Sequence, residues 1–489
     1  MIDPYTSVVD LAAAIRAKDV SPVEVAECYL DRIAALDPVF NAFSHRADDE
    51  VRAAASAAAD AVTRGRPEDL PPLHGVPVPI KDLADVAGWP TTYGSLATDH
   101  APKRASDPVV RRFVDAGAIP LGKTTTSEFG AASFTESDAH GVSRNPWDPD
   151  RTPGGSSGGA AIAVAAGMAP IAHAEDGGGS IRVPASCTGL VGLKPTRGRV
   201  TSSVVDAEGL GTSGVVSRTV ADTAVALDVL ARHDPGAWWS PPSPARSFAG
   251  LLSEPLLSDR RLSDSLSTDP AHARLRVGVL TTSPIDGIGV DPACVTAVGT
   301  VVRALEEAGH HVVDAALPLP PADELLSVFM KIWNVSSAGI PVAHPDRLEP
   351  HNRAQRQAAL TVDSLAYVES VQAAQRLSRR IVEAFAVSFD LLVTPTMACL
   401  PPRVGAWREV GDPVTASHPM AVFTSLFNVT GQPAVSVPIH HDEPSGLPVG
   451  VHLVAAPWRE DLLLRAAHFL EQVHPWAARR PERCAAGEM

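Results

Sequence analysis

Two glycine-rich turns, each holding a serine, place the strongest constraint on how this chain can fold. The first reads Gly154-Gly155-Ser156-Ser157-Gly158-Gly159 and the second Asp176-Gly177-Gly178-Gly179-Ser180-Ile181-Arg182. Between them, residues 157–166 are small and apolar, which suits a buried helix that packs tightly for want of bulk. Glycines in such number let the backbone come close to a ligand and take dihedrals that other residues resist. A run of them ending at Ser180 can aim several backbone N–H groups at one point, which is what an oxyanion needs. A serine there lacks only a proton acceptor. Lys81, which closes the hydrophobic run Val76-Pro77-Val78-Pro79-Ile80, can be that acceptor if its ammonium is desolvated enough to lose its charge. A free lysine titrates near ~10.4, so the neutral amine must be favoured by on the order of 3–4 kcal/mol.

Elsewhere the pattern is that of alternating helices and strands. Ser21-Pro22-Val23-Glu24 is a capping box with proline at the first helical position, and Ala26, Leu30, Ile33 and Leu36 come after it at helical spacing, predicting a helix over about 22–36. Asp107-Pro108 starts a second helix that ends near Gly117. Val76–Ile80 reads as a short strand whose prolines suit a sheet edge or an irregular run. From Leu275 a βαβ rhythm sets in: strand 275–280, helix 292–308 stopped by Gly309, strand 311–316. Further strands are predicted over 390–394, 434–438 and 449–454, and a closing amphipathic helix over 461–473. Residues 235–270, rich in Pro, Ser and Asp, read as a surface excursion.

The 489 residues are enough for a large buried core, and length alone allows roughly three domains. A net charge of −15 argues against nucleic acid as the main partner. Cys28, Cys187, Cys294, Cys399 and Cys484 are scattered and odd in number, which favours reduced thiols in a cytoplasm over disulfides or a zinc site. The first ten residues lack the basic and apolar regions of a signal peptide, and no apolar stretch is long enough for a bilayer. His140, His173, His310 and His311 have no metal-ligand spacing.

Two motifs need weighing against plainer readings. Gly117-Ala118-Ile119-Pro120-Leu121-Gly122-Lys123-Thr124 fits a phosphate-binding loop, but that loop needs a strand before it and a helix after it. Here the order is reversed, and a helix–strand junction is expected. Gly155-Ser156-Ser157-Gly158-Gly159 fits a nucleophile elbow with Ser157 at its tip. A proline-broken loop, residues 145–153, stands where the elbow needs a strand. An esterase using Ser157 stays as an alternative at this point.

The two turns, with Gly189-Leu190-Val191-Gly192-Leu193-Lys194-Pro195-Thr196, resemble the core of the amidase signature family. His74-Gly75-Val76-Pro77-Val78-Pro79-Ile80-Lys81-Asp82 resembles its lysine segment, and residues 427–434 and 446–451 resemble its C-terminal turns. The resemblance covers most of residues 1–475 as one domain, with 476–489 a C-terminal tail. It implies an α/β fold: a central mixed β-sheet covered by helices on both faces.

Chemically, the resemblance implies a Ser–cisSer–Lys triad, with Ser180 the nucleophile, Ser156 the bridging serine after a cis peptide, and Lys81 the base. Backbone N–H groups of Gly177, Gly178, Gly179 and Ser180 would hold the oxyanion. Ser157 would support the bridging serine, and Asp176 with Arg182 would brace the turn or form a purely structural ion pair. Lys123 and Lys194 are given structural roles. The implied substrate is a small-molecule amide, with esters and carbamates sharing its carbonyl chemistry. No cofactor, metal or membrane is implied, and a homodimer is left open.

Two departures stand out. Glu175 precedes Asp176 where many members have Ser or Thr, and the cysteine after the nucleophile is shifted by one, as Cys187-Thr188-Gly189. Val183, the lack of excess basic charge and a divergent stretch over 200–220 speak against the family's tRNA-dependent amidotransferase branch, whose A-type chain stays the main alternative. A non-enzymatic binding role is the third. Leu325, Leu326, Phe329, Met330 and Trp333 recur at helical spacing, and Phe329 and Trp333 either wall a substrate pocket or form the core face of a helix.

Overall fold

Lys81 ends a short edge strand. The computed structural model describes residues 2–201, 209–237, 239–256 and 274–484. In it β1 (Phe43–His45), β2 (Pro77–Lys81) and β3 (Ile119–Thr124) form a sheet of order β1-β3-β2, with β2 parallel to β3. Proline lacks the N–H that a second neighbour would need, so a strand with Pro77 and Pro79 belongs at an edge. The helix Pro108–Asp115 runs into β3, which gives the helix–strand junction expected at Gly117–Thr124.

A two-stranded ribbon, β4 (Glu136–Ser137) with β5 (Gly141–Val142), precedes the main sheet. That sheet comprises β6 (Ile171–Asp176), β7 (Val191–Lys194), β8 (Thr212–Ser217), β9 (Arg276–Val279), β10 (His311–Asp314), β11 (Leu391–Pro395), β12 (Ala434–Asp442) and β13 (Leu447–Ala455). Its order is β10-β9-β11-β13-β12-β7-β8-β6. β10, β9 and β11 pair in parallel and the other pairings are antiparallel, so the sheet is mixed.

Helices cover both faces. Val191 and Leu193 join a core cluster with Leu463, Leu464 and Ala467 of the helix Glu460–Val473. Gly192, between them, faces the other way, where a Cβ would stand 2.7 Å from that of Ala185 in the helix Arg182–Thr188. Only glycine admits that approach. The fold is a single-domain α/β fold.

Several elements outrun their predicted bounds. The helix Pro22–Phe40 continues through Pro38 because Phe40 is buried and Asp37 accepts the N–H groups of Ala42 and Phe43 just beyond the end. β12 extends to Asp442 because its ladder with β13 resumes at His440↔Val449 after a register shift around Pro438. Of the excursion over 235–270, residues 238 and 257–270 lie outside the described residues, and Phe248 within it is buried in the core. Past residue 475, Trp476 is buried and its Nε1 donates to the carbonyl of Arg218. No helix among the described residues is long and apolar enough to cross a membrane.

Candidate active site

Lys81 and Lys123 sit on neighbouring strands and meet opposite surroundings. Lys123 is fully buried with its Nζ 2.9 Å from the carboxylate of Asp82, a closed ion pair. Lys81, equally buried, has Ser156 Oγ at 2.8 Å and the carbonyl of Glu175 at 3.3 Å. Hydroxyl and carbonyl replace water without neutralising the charge. Burial therefore pushes the Lys81 amine down to about 8, against the charges of Glu175 and Asp176, which act to raise it. The backbone N–H of Lys81 donates to His173 Nδ1 at 3.3 Å. Burial, aided by Lys81 and Lys123, pushes His173 down to about 3, so the imidazole is neutral.

Ser156 comes after a cis peptide that joins it to Gly155. A Cβ on Gly155 would stand 2.8 Å from the carbonyl carbon of Ser133, and one on Gly130 would stand 3.1 Å from Ser156 Oγ. The turn thus packs against residues 130–133 at both glycines. Ser157 does not touch Ser156 through its hydroxyl. Its Oγ donates to the Glu175 carbonyl at 3.1 Å and accepts the Glu175 N–H at 3.3 Å, while its own N–H donates to the Ser180 carbonyl at 3.3 Å. It ties the first turn to β6 and to the second turn. Fully buried and engaged with backbone, Ser157 is no exposed nucleophile at the tip of an elbow.

In the second turn, Asp176 accepts the N–H of Gly179 at 2.7 Å and of Ile181 at 3.2 Å. This corrects the expectation for Gly179: its N–H is spent on a carboxylate and holds the turn, leaving Gly177, Gly178 and Ser180 as the candidate oxyanion donors. Gly179 itself lies at φ +137, and a Cβ there would collide with Thr424. Arg182 grips Asp176 through Nε and a terminal nitrogen, each at 2.9 Å, with both residues fully buried. Its remaining N–H groups reach the Thr424 carbonyl, Asn428 Oδ1 and His452 Nε2. Burial opposes the charge of Asp176, but Arg182 and Asn428 hold its carboxyl well below the usual range.

The pair is both a structural ion pair and the brace of the turn. Arg182→Ala strands a buried carboxylate and is expected to cost about 3–5 kcal/mol in urea unfolding. Arg182→Lys, which keeps the charge but not the fork, is expected to recover only part of that loss.

Two cavities meet at this turn. The first is lined by Gly178 and Ser180, by Leu325, Phe329, Met330 and Trp333 of the helix Ala322–Ala338, and by Leu426. The second is lined by Lys81, Ser156, Glu175, Asp176, Gly177 and Ser180, with Tyr93, Phe129 and Trp333 among its walls. The predicted Lys81, Ser156 and Ser180 thus share one cavity. Phe329 and Trp333 are pocket wall and packed core at once, stacked at 5.6 Å and joined to the apolar cluster beneath.

Tyr93 (φ 57) and Phe129 (φ 55) both adopt left-handed backbone, strain that collects at functional sites. Neither is glycine or asparagine, so the sequence carried no sign of it. Thr424 and His452 carried none either, and Asn428 lay in a turn of the family pattern with no role attached. Among the described residues, Glu128, Glu349 and His351 have ligand atoms close enough together for a metal, but Glu128 already accepts hydrogen bonds from Ser95, Asn352 and the Glu349 N–H.

The family profile described as Amidase matches residues 24–464. The 6-aminohexanoate-cyclic-dimer hydrolase of Paenarthrobacter ureafaciens is 33% identical over 508 residues, covering 98% of this chain and 97% of that protein. The A-type chain of the glutamyl-tRNA(Gln) amidotransferase of Chloroflexus aurantiacus is 34% identical over 507 residues, covering 98% of each. A solved structure of 6-aminohexanoate cyclic dimer hydrolase complexed with substrate aligns with a TM-score of 0.87 at 32% identity, over 99% of this chain and 100% of that one. The chain belongs to the amidase signature family and is a hydrolase of carbon–nitrogen bonds other than peptide bonds.

Proposed function

We propose that the protein cleaves a small-molecule amide through an acyl-enzyme on Ser180. Ser180 Oγ attacks the amide carbon and gives its proton to Ser156, whose own proton passes to the neutral amine of Lys81. The tetrahedral oxyanion is held by the N–H groups of Gly177, Gly178 and Ser180, each worth roughly 3–4 kcal/mol when well placed. Collapse breaks the carbon–nitrogen bond, and the relay returns the proton to the leaving nitrogen. Water, deprotonated along the same path, then attacks the ester and frees the acid and Ser180. Esters and carbamates fit the same sequence of steps.

The observation that carries this reading is the 2.8 Å contact between a buried, weakened ammonium and Ser156, in a cavity that Ser180 also lines. A serine-directed sulfonyl fluoride is expected to label the protein once, at Ser180, by peptide mapping. Label on Ser157 would revive the esterase alternative, and no label would overturn the Ser180 assignment. A panel of aliphatic, aryl, cyclic and carbamate substrates, read for released amine, then ranks substrates. Phe329 and Trp333 favour a bulky apolar acyl or aryl group.

The relative from Chloroflexus supports a second reading, the A-type chain of a tRNA-dependent amidotransferase. That role requires further chains in the assembly, so co-purification from native cells tests it. The apolar lining beside Ser180 suits a hydrophobic acyl group better than a polar one.

A further inference from the structure

The small sheet and the large one meet edge to edge at the site. Among the described residues β2 pairs only with β3 and β6 only with β8, so β2 and β6 lie side by side without a ladder between them. Asp82 gives its N–H to the Thr124 carbonyl, at the end of β3. The Lys81 N–H, one residue earlier, points the other way, toward β6. Its acceptor there is not a carbonyl but the imidazole of His173, through Nδ1 at 3.3 Å. Two residues along β6, the carbonyl of Glu175 takes Lys81 Nζ at 3.3 Å. β6 thus holds this lysine twice, by its backbone and by its amine.

His173 is fully buried, with its ring edge-on to Phe113 at 6.3 Å. The charges that act on it are those of Lys81 and Lys123, which disfavour an imidazolium, and a Glu175 carboxylate oxygen stands 4.0 Å from Nε2. A neutral imidazole has one donor and one acceptor. With the Lys81 N–H on Nδ1, the ring proton is on Nε2, which has no hydrogen-bond partner among the described residues. A buried N–H without a partner costs stability. An apolar side chain would avoid that loss, but would leave the Lys81 N–H unpaired in its turn. What the imidazole contributes is one acceptor, aimed at the residue that carries the base.

We propose that His173 is a positioning residue of the amidase reaction: its Nδ1 anchors the Lys81 backbone so that Nζ stays 2.8 Å from Ser156 Oγ. The inference rests on the reading of Lys81 as the base for Ser180. His173 neither touches the reacting atoms nor carries the proton. It fixes the point from which a long, flexible side chain reaches its partner, and a misplacement of about 1 Å in such a site can cost roughly 10²-fold in rate.

Three variants separate the acceptor from the space it fills. In His173→Asn the amide places Oδ1 where Nδ1 stands, in His173→Gln it reaches only the place of Nε2, and in His173→Leu there is no acceptor. With butyryl 4-nitroanilide as substrate, kcat is expected to fall about 10–100-fold in His173→Leu and His173→Gln with KM changed by less than about threefold, and His173→Asn to come within about fivefold of wild type. A ring that only filled space would give the reverse order, because leucine and glutamine keep more of its volume than asparagine. If the leucine variant does not fold, the asparagine and glutamine variants carry the same comparison.

The second readout is carbon NMR of the intact protein labelled at lysine Cε, in which Lys81→Arg assigns one of only six lysines. The Lys81 amine, pushed down to about 8 by burial against the charges of Glu175 and Asp176, is expected to regain water when its anchor is lost. Its midpoint should then move to higher pH in His173→Leu and His173→Gln, by about threefold or more in the dissociation constant, and return in His173→Asn. Wild-type turnover in all three variants, with Ser180 still labelled by a sulfonyl fluoride, overturns the anchor and leaves the Ser180 reading standing. If no protein in the set cleaves an amide, the hydrolytic reading falls alone and the midpoints still decide. Raised in leucine and glutamine and restored in asparagine, they support the anchor; equal in all, they overturn it.

Discussion

Ser180→Ala is expected to abolish amide turnover, with kcat falling by at least about 10⁴-fold while the protein stays folded. The size of the loss reflects the work of one oxygen in the scheme. Without Oγ there is no acyl-enzyme, so the oxyanion donors of Gly177, Gly178 and residue 180 have only a bound water to assist. The fold should not notice. Ser180 lines the cavity, and the second turn is held by Asp176, Arg182 and the Ser157 N–H on the Ser180 carbonyl. Thermal unfolding of the variant is expected to match the parent within a few degrees. The same variant should also resist sulfonyl fluoride labelling. Retained turnover with an unchanged melting curve would remove Ser180 from the chemistry and leave Ser156 to be tested as the attacking hydroxyl.

The parts of the fold that were legible in the sequence are those set by local physics. The βαβ rhythm from Leu275 placed the strands at Arg276 and His311, and a capping box placed the helix at Pro22. Proline in β2 marked an edge, and glycine density marked both turns of the site. The parts that were not legible depend on distant partners. The Asp176 carboxylate that takes the Gly179 N–H is itself held by Asn428, more than two hundred residues downstream. Phe329 and Trp333 have the spacing of a core face whether or not a cavity opens beside them. Tyr93 and Phe129 take left-handed backbone through the surrounding packing, linked by the Phe129 N–H on the Tyr93 carbonyl. Asn428 and His452 reach Arg182 from more than two hundred residues downstream.

Lys81→Ala is expected to lower kcat/KM by about 10²–10⁴-fold, the usual contribution of a positioned base. Its more telling effect is on pH. In the proposed relay the working form of Lys81 is the neutral amine, whose conjugate acid is pushed down to about 8. Below that value most molecules carry the ammonium, so wild-type kcat/KM should climb with pH up to about 8 and then level off. The variant has no such group, and its residual rate should lack that limb. The position of the limb is set by opposing groups: burial lowers it, and the charges of Glu175 and Asp176 raise it. Asp176 is clamped by Arg182, and Glu175 also acts on the Lys81 amine. Glu175→Gln removes a charge that favours the ammonium, so the limb should move to lower pH with its slope intact. A wild-type profile that stays flat from pH 6 to 9 would mean that no amine is being deprotonated, and the buried lysine would then be a structural anchor for Ser156. A limb that survives Lys81→Ala would assign the titration to another group. Its immediate neighbour His173 is not that group, because its imidazole stays neutral down to about 3.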